Sequence, residues 1–184
     1  MSLPLPHPAR HASRNLLLTR RLTLRPTTAD DVDALHALLA QPGVRRHLCD
    51  GRMPQRAEVA AMLAASQRLR DASGEGLWAI LENARGWALA GVAGLWPYRR
   101  IDTAPPVHEL VFALGEDCWG RGLATEAGGA LLGYARDTLG WRTAQASTNA
   151  GNTASVRTLI RLDFFEAETV PRQSGPLRIF RRTL

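Results

Sequence analysis

Residues 108–127 read HELVFALGEDCWGRGLATEA, and this stretch decides how the rest of the chain is organised. HELVFAL, rich in apolar and aromatic residues, predicts a strand over 108–114. Residues 115–118 interrupt it, and Trp119-Gly120-Arg121-Gly122 turns the chain into a helix. There Ala124, Ala127, Leu131, Leu132, Ala135 and Leu139 recur at helical spacing. A Gly-rich turn at a helix N-terminus presents unpaired backbone N–H groups and the positive end of the helix dipole, which together bind phosphate oxygens. Gly120 and Gly122 let the main chain approach such an anion, and Arg121 adds a positive charge. No Gly-Lys-Ser/Thr follows, so the loop is not of the Walker A kind. Without a third Gly or a suitable downstream acid it is not a dinucleotide-binding fingerprint either.

Working outward, 143–148 predicts a further strand, which makes 108–148 one βαβ crossover. A helix over 153–162 and strands over 164–170 and 177–183 complete the C-terminal side. Upstream, Arg21–Arg25 (RLTLR) alternates apolar and polar and stops at Pro26, as a short strand does. Thr27 or Thr28 then caps a helix with Asp30, Asp31 and Asp33 in its first turn and an apolar stripe of Val32, Leu35, Leu38 and Leu39. Residues 41–54 read as a loop, and a second helix carries Val59, Met62, Leu63 and Leu69. Residues 77–81 and 88–96 form a hairpin through 83–86, where Gly91 and Gly94 predict a bulge or close packing. The element order is β-α-α-β-β-β-α-β-α-β-β, a mixed α/β layer.

The 184 residues include 45% hydrophobic and 22% charged residues, an ordinary globular balance that excludes general disorder. No apolar run approaches the roughly 18 residues of a membrane span. The first 18 residues are punctuated by Pro and Arg where a signal peptide needs an unbroken apolar core. They are expected to be a flexible leader before one domain over 19–184, in a cytoplasmic protein. Cys49 and Cys118 have no metal-ligand spacing, so neither a disulfide scaffold nor a metal site is expected. The net charge is +6, and every basic residue is Arg. Five Arg in 1–26 and four in 169–184 face no acid there, whereas 27–168 carry 14 Arg against 17 acidic residues, a net of −3. A nucleic-acid module places its basic stripe on the folded body. The excess at the ends argues against that class.

With these residues in view, the chain resembles the GNAT acetyltransferases, in the branch of the ribosomal-protein-alanine N-acetyltransferases. That branch's pyrophosphate motif, W-G-[KR]-G-x-A-T-E-A after a strand beginning E-L-G-Y, is similar to Trp119–Ala127 and Glu109-Leu110-Val111-Phe112. Its second block, N-x-x-N-x-x-S ahead of L-G-F, is similar to Asn149, Asn152, Ser155 and Leu162-Asp163-Phe164. The opening RLTLRP resembles the family's first strand. The likeness covers about 19–168 and is weakest across 41–76. Val111 and Asp163 stand where the family has Gly, and Leu159 stands where many members place a Tyr as general acid.

The resemblance implies an α/β (α+β) GNAT fold. Its central mixed, mostly antiparallel sheet would have about seven strands, with helices on both faces and a splayed parallel strand pair, 108–114 and 143–148, holding acetyl-CoA. Phe112, Ala113 and Leu114 would pair with the pantetheine arm, a form of strand addition. Trp119, Gly120, Arg121, Gly122, Leu123, Ala124 and Thr125 would hold the pyrophosphate, and Asn149, Asn152 and Ser155 would also contact the cosubstrate. No metal is implied. The activity implied is acetyl transfer from acetyl-CoA to a primary amine, a protein N-terminus or a small amine, by direct attack in a ternary complex.

An alkylamine is protonated at neutral pH, with a pKa near 10, so a base is required. Glu109 is the first choice, sharing a strand face with Val111 and Ala113. An ion pair at a strand end is the structural alternative. Ser155 and Asn152 take the place of the missing Tyr, although capping alone explains Asn152. Glu126 reads as a partner of the helix dipole, Glu166 and Glu168 as weaker bases, and His36 and His47 as structural or proton-shuttling. Cys118 reads as packing, and Trp78, Trp87 and Trp96 as core or hairpin residues. Arg45, Arg46, His47 and Arg52 against Asp50 give the 41–56 loop a basic rim, which favours an acceptor with a carboxylate or phosphate over a polycation. A CoA-binding sensor without efficient transfer is the competing reading, and a basic nucleic-acid binder the weaker one. A homodimer is left open.

Overall fold

The computed structural model describes residues 16–48, 51–98, 107–173 and 175–184. One sheet is built from β1 (Leu17–Leu18), β2 (Leu22–Pro26), β3 (Gly76–Glu82), β4 (Ala88–Tyr98), β5 (Val107–Leu114), β6 (Thr143–Asn149), β7 (Phe165–Val170) and β8 (Leu177–Thr183). Their spatial order is β1-β2-β3-β4-β5-β6-β8-β7. The helices are α1 (Val32–Leu39), α2 (Pro42–Arg45), α3 (Arg56–Ser73), α4 (Leu123–Asp137) and α5 (Thr153–Arg161). Every strand and helix read from the sequence is present. Two short elements were not foreseen. The sheet has eight strands rather than about seven because β1 pairs with β2 at Leu17↔Leu24 and Leu18↔Thr23. It thus begins inside the stretch expected to be a leader, whose residues 1–15 lie outside the described ones. Part of the expected 41–54 loop is α2.

The helical stripes bury on opposite faces of the sheet, as their periodicity requires. Val32, Leu35, Leu38 and Leu39 of α1 meet Val59 and Leu63 of α3 and the sheet residues Leu77 and Val92. On the other face, Leu123, Ala127, Leu131, Leu132 and Ala135 of α4 and Val156 and Leu159 of α5 pack on Leu22, Leu24, Trp78 and Ile80. Of the two candidate caps, Thr28 fills the role. It precedes a 3-10 turn, Ala29–Asp31, that leads into α1, and its N–H donates to Asp31 Oδ2 at 2.8 Å. Thr27 is buried and donates to the Leu77 carbonyl instead.

Gly91 and Gly94 keep β4 close to its neighbours. A Cβ at Gly91 would lie 2.3 Å from the Ala113 carbonyl, and one at Gly94 2.3 Å from that of Gly76. The expected irregularity falls between Ile80 and Leu81, where the β3–β4 register shifts. Trp78 is core, Trp96 is half-buried, and Trp87 is 64% exposed in the β3–β4 turn. Among the described residues no helix is long and apolar enough to cross a membrane.

The geometry that matters for function is at the middle of the sheet. β5 is paired with β4 from Gly91↔Leu114 to Tyr98↔Val107. β6 is paired with β8 from Thr143↔Thr183 to Asn149↔Leu177. Between these two ribbons the parallel pairing of β5 and β6 is confined to Glu109↔Gln145. Past that point the strands part.

Candidate active site

The parting strands leave a cavity of about 340 Å³, lined by Leu110, Val111 and Phe112 of β5, by Ala146–Asn149 of β6, and by Asn152, Ser155 and Leu159 at α5. His47, Leu48, Arg172 and Leu177 close its rim. The Ala113 carbonyl lies against Gly91 on β4. Successive carbonyls of a strand point to opposite edges, so those of Phe112 and Leu114 turn toward the gap. The Leu114 carbonyl already accepts from Trp119 Nε1 at 2.8 Å, which leaves Phe112 as the open backbone position for strand addition. The Leu114 side chain itself is core, 7% exposed.

At the far end of β5 stands the phosphate-type turn. Gly122 is the N-cap of α4 with φ +74°, and Gly120 has φ +71°, a left-handed backbone that only glycine adopts without cost. Leu123 anchors the first turn in the core, while Ala124 and Thr125 are half-buried beside it. Arg121 is already engaged within the protein. Its guanidinium is bound to both carboxylate oxygens of Glu82, a residue buried at the end of β3. Arg85, on the β3–β4 turn, joins the cluster through Asp117 at 2.7 Å. The sequence assigned Arg121 a charge for the ligand; the structure spends that charge on holding the loop.

Glu126 lies in the first turn of α4, as expected of a partner of the helix dipole, and is also tied to the N-terminal strands. Its carboxylate turns to the β1–β2 corner and accepts from Thr19 Oγ1 at 2.7 Å, from the Arg21 N–H at 2.8 Å and from Arg21 Nε at 2.6 Å. Burial opposes ionisation of Glu126, but these donors outweigh it and hold its pKa below the usual carboxylate value.

Glu109 occupies the junction where β5 and β6 still touch. Its register neighbours are Trp96 on β4 and Gln145 on β6. It is 7% exposed, and its Oε1 has no hydrogen-bond partner among the described residues. Burial pushes its pKa up, opposed by the Ser147 and Gln145 side chains and by the charge of Arg172. Among the described residues Glu109 forms no ion pair within salt-bridge distance; it is a buried carboxylate with one oxygen unused, on a strand that borders the cavity.

At α5, Asn152 Oδ1 accepts the Ser155 N–H at 3.1 Å and so caps the helix. Asn149, Asn152 and Ser155 all line the cavity. Leu159 is 1% exposed and belongs to the core, so the position offers no acid. Asp163, where the family has Gly, adopts φ +58°, the left-handed conformation that position demands.

The other candidates lie elsewhere. His36 Nε2 meets the Pro54 carbonyl at 3.0 Å. Glu166 is paired with Arg178 and Glu168 with Arg181, both on the sheet's far edge. Cys118 is buried, and its burial and the Asp117 carboxylate push the thiol pKa up, away from a nucleophilic thiolate. Of the basic 41–56 residues only His47 lines the cavity, and Arg52 is paired with Glu58; Cys49 and Asp50 lie outside the described residues. No cluster of metal-ligating side chains occurs among the described residues. Sequence reasoning missed Gln145, Ser147, Glu82 and Arg172. Strand alternation on β6 could have found the first two; Glu82 and Arg172 reach the site only through tertiary packing.

This arrangement is the one comparison with known proteins also finds. The family model described as acetyltransferase (GNAT) domain matches residues 21–164, and the chain belongs to this acetyltransferase family. The uncharacterized N-acetyltransferase p20 of Bacillus licheniformis is 28% identical over 151 residues, covering 80% of this chain and 81% of the relative. The structure of a GNAT-family acetyltransferase from Bordetella pertussis superposes with a TM-score of 0.79 at 27% identity, covering 92% of this chain and 99% of its own. The ribosomal-protein α-N-acetyltransferase RimL, in complex with coenzyme A, shares the fold at a TM-score of 0.76 and 18% identity, covering 92% and 98%.

Proposed function

We propose that this protein transfers an acetyl group from acetyl-CoA to a primary amine, a protein N-terminus or a small amine, within a ternary complex. The observation that carries the reading is the parting of β5 and β6 past Glu109↔Gln145, which opens a cavity lined by Val111, Phe112, Ser147, Asn149, Asn152 and Ser155. That two coenzyme A complexes, of RimL and of an aminoglycoside acetyltransferase, are among the structures of this fold supports it.

In this reading the backbone N–H groups at the start of α4 take the pyrophosphate, with Trp119 closing the turn. Phe112 pairs with the pantetheine amide as an added strand, and Asn149 and Asn152 border the arm. The acceptor loses its proton to Glu109, whose raised pKa suits a base working near neutrality. The neutral nitrogen forms a bond to the thioester carbon while the carbonyl electrons move to oxygen, where backbone donors at the splay receive them. The oxyanion's electrons then return to re-form the carbonyl as the C–S bond breaks, the nitrogen gives up its remaining extra proton to solvent, and the sulfur leaves as thiolate. Ser155 donates to the departing sulfur, a modest task because a thiol's pKa near 8.5 makes thiolate a tolerable leaving group.

The test is calorimetric. Gly122→Glu places a carboxylate where backbone meets pyrophosphate and should abolish acetyl-CoA binding. Gly122→Asn, which tolerates a left-handed backbone without adding charge, should fold and retain measurable affinity. Unchanged affinity in the Glu variant would remove the loop from the site and the function with it.

A further inference from the structure

The cavity next to Glu109 has a second charged wall that the reaction as described does not use. Arg172 stands on the β7–β8 loop, lines the same cavity as Val111 and Ser147, and donates from Nη2 to Tyr98 Oη at 3.2 Å. Tyr98 and Trp96 alternate onto the sheet face that carries Glu109, since Trp96 pairs with Glu109 and Tyr98 lies two residues on. The Arg172 side chain therefore reaches from the β7–β8 loop to the end of β4 and brings a cation to the carboxylate's side of the sheet. Among the described residues Arg172 is the one charged group whose field acts on Glu109.

We propose that Arg172 selects the acceptor by receiving a carboxylate carried a few bonds from the amine that attacks. A guanidinium has five donors in a fixed fork, and the tyrosine hydroxyl uses one, which leaves a fork edge for a carboxylate. With Arg172 lining the cavity and Glu109 buried beside the strands that form it, the site is complementary to a zwitterion: the ammonium end meets the carboxylate and the anionic end meets the guanidinium. A polyamine would bring a second cation against Arg172 and be rejected by like charge. The class is thus an amine with a nearby carboxylate, supplied either by a free amino acid or by an acidic residue at a peptide's N-terminus.

This inference rests on Glu109 being the base of an acetyl transfer. The experiment measures kcat/KM with the full chain and acetyl-CoA, using β-alanine and β-alaninamide, an acidic and a neutral N-terminal peptide, and spermidine. The carboxylate acceptor should exceed its amide by about tenfold or more, the worth of one charge-assisted hydrogen bond. Whichever carboxylate acceptor is preferred, the amino acid or the acidic peptide, identifies the source. Arg172→Ala should bring the carboxylate-to-amide ratio close to one, and Arg172→Gln, which can still reach Tyr98, should do the same. Arg172→Lys should restore part of it. Equal loss for carboxylate and amide in both variants would make Arg172 a support for the loop and overturn the proposal, as would a wild type indifferent to the carboxylate. A wild type that binds acetyl-CoA but acetylates no amine would sink the transferase reading, and this inference with it.

Discussion

Glu109 serves two opposed demands. Burial raises its pKa and makes it a better proton acceptor, while the same burial makes its charged form costly to the fold. Glu109→Gln separates them. At neutral pH kcat should fall by about 10²–10⁴, the usual contribution of a general base. Activity should recover as pH climbs toward the acceptor's own pKa near 10 and the amine deprotonates unaided. The melting temperature should not fall, because Gln removes a carboxylate whose Oε1 lacks a partner. A variant with wild-type kcat at pH 7 would return Glu109 to a structural role. The place of Glu109 was legible in the sequence because its strand runs straight into the glycine turn, whereas the role proposed for it came only with the family resemblance. Leu159 was legible as a missing acid, and its place in the core bears that out. Arg172 was not legible. It comes from a hairpin loop far along the chain, and nothing local in the sequence announces that its side chain reaches Tyr98.

At the scale of elements, the glycine turn was read well and its support was not. A turn of this kind binds an anion only if its N–H groups are already aimed, since any freedom must be lost on binding. Two anchors hold it. Arg121 is tied to Glu82 at the end of β3, and Arg21 donates through Nη1 to the Arg121 carbonyl at 2.8 Å while its other groups bind Glu126. Glu82→Gln should weaken acetyl-CoA binding by about tenfold, roughly 1.4 kcal/mol, with little change in kcat at saturating acetyl-CoA. Tighter binding in that variant would show that a released Arg121 reaches the phosphates directly, as the sequence had suggested. The same tertiary logic hid α2. Its four residues begin with Pro42 and include Gly43, a poor helix on propensity. It is fixed by docking: the Gly43 N–H donates to Glu116 Oε1 at 2.5 Å, and the Glu116 N–H donates to Gln41 at 2.8 Å. Gly43 is needed there because a Cβ would stand 2.6 Å from the Trp119 ring.

For the whole molecule, three buried or half-buried carboxylates, Asp31, Glu126 and Glu109, are shifted in opposite directions, and the difference predicts the shape of stability against pH. Asp31 and Glu126 have folded-state pKa values held below their ordinary ones. Burial opposes this in both, but Arg25 and Thr28 outweigh it at Asp31, as Thr19 and Arg21 do at Glu126. Each contributes stability that is present above its unfolded pKa and is lost as pH falls through the folded one. Glu109 has the reverse sign. Its folded pKa is raised, so the folded state holds its proton more tightly than the unfolded chain does. Its contribution is full below the unfolded value, near 4.3, and is lost as pH rises through the folded one. Lowering the pH from neutral toward the ordinary carboxylate range should therefore raise the melting temperature of the wild type before further acid lowers it. Glu109→Gln removes the only one of these three terms that gains in that window. The variant should show a flat plateau from neutral down to the carboxylate range and then the same acid fall, still governed by Asp31 and Glu126. Thermal melts of both proteins at closely spaced pH, at fixed ionic strength, check this. If the maximum on the acid side of neutral persists unchanged in the variant, some other buried group produces it, and the elevated pKa assigned to Glu109, with its fitness as a base, is wrong.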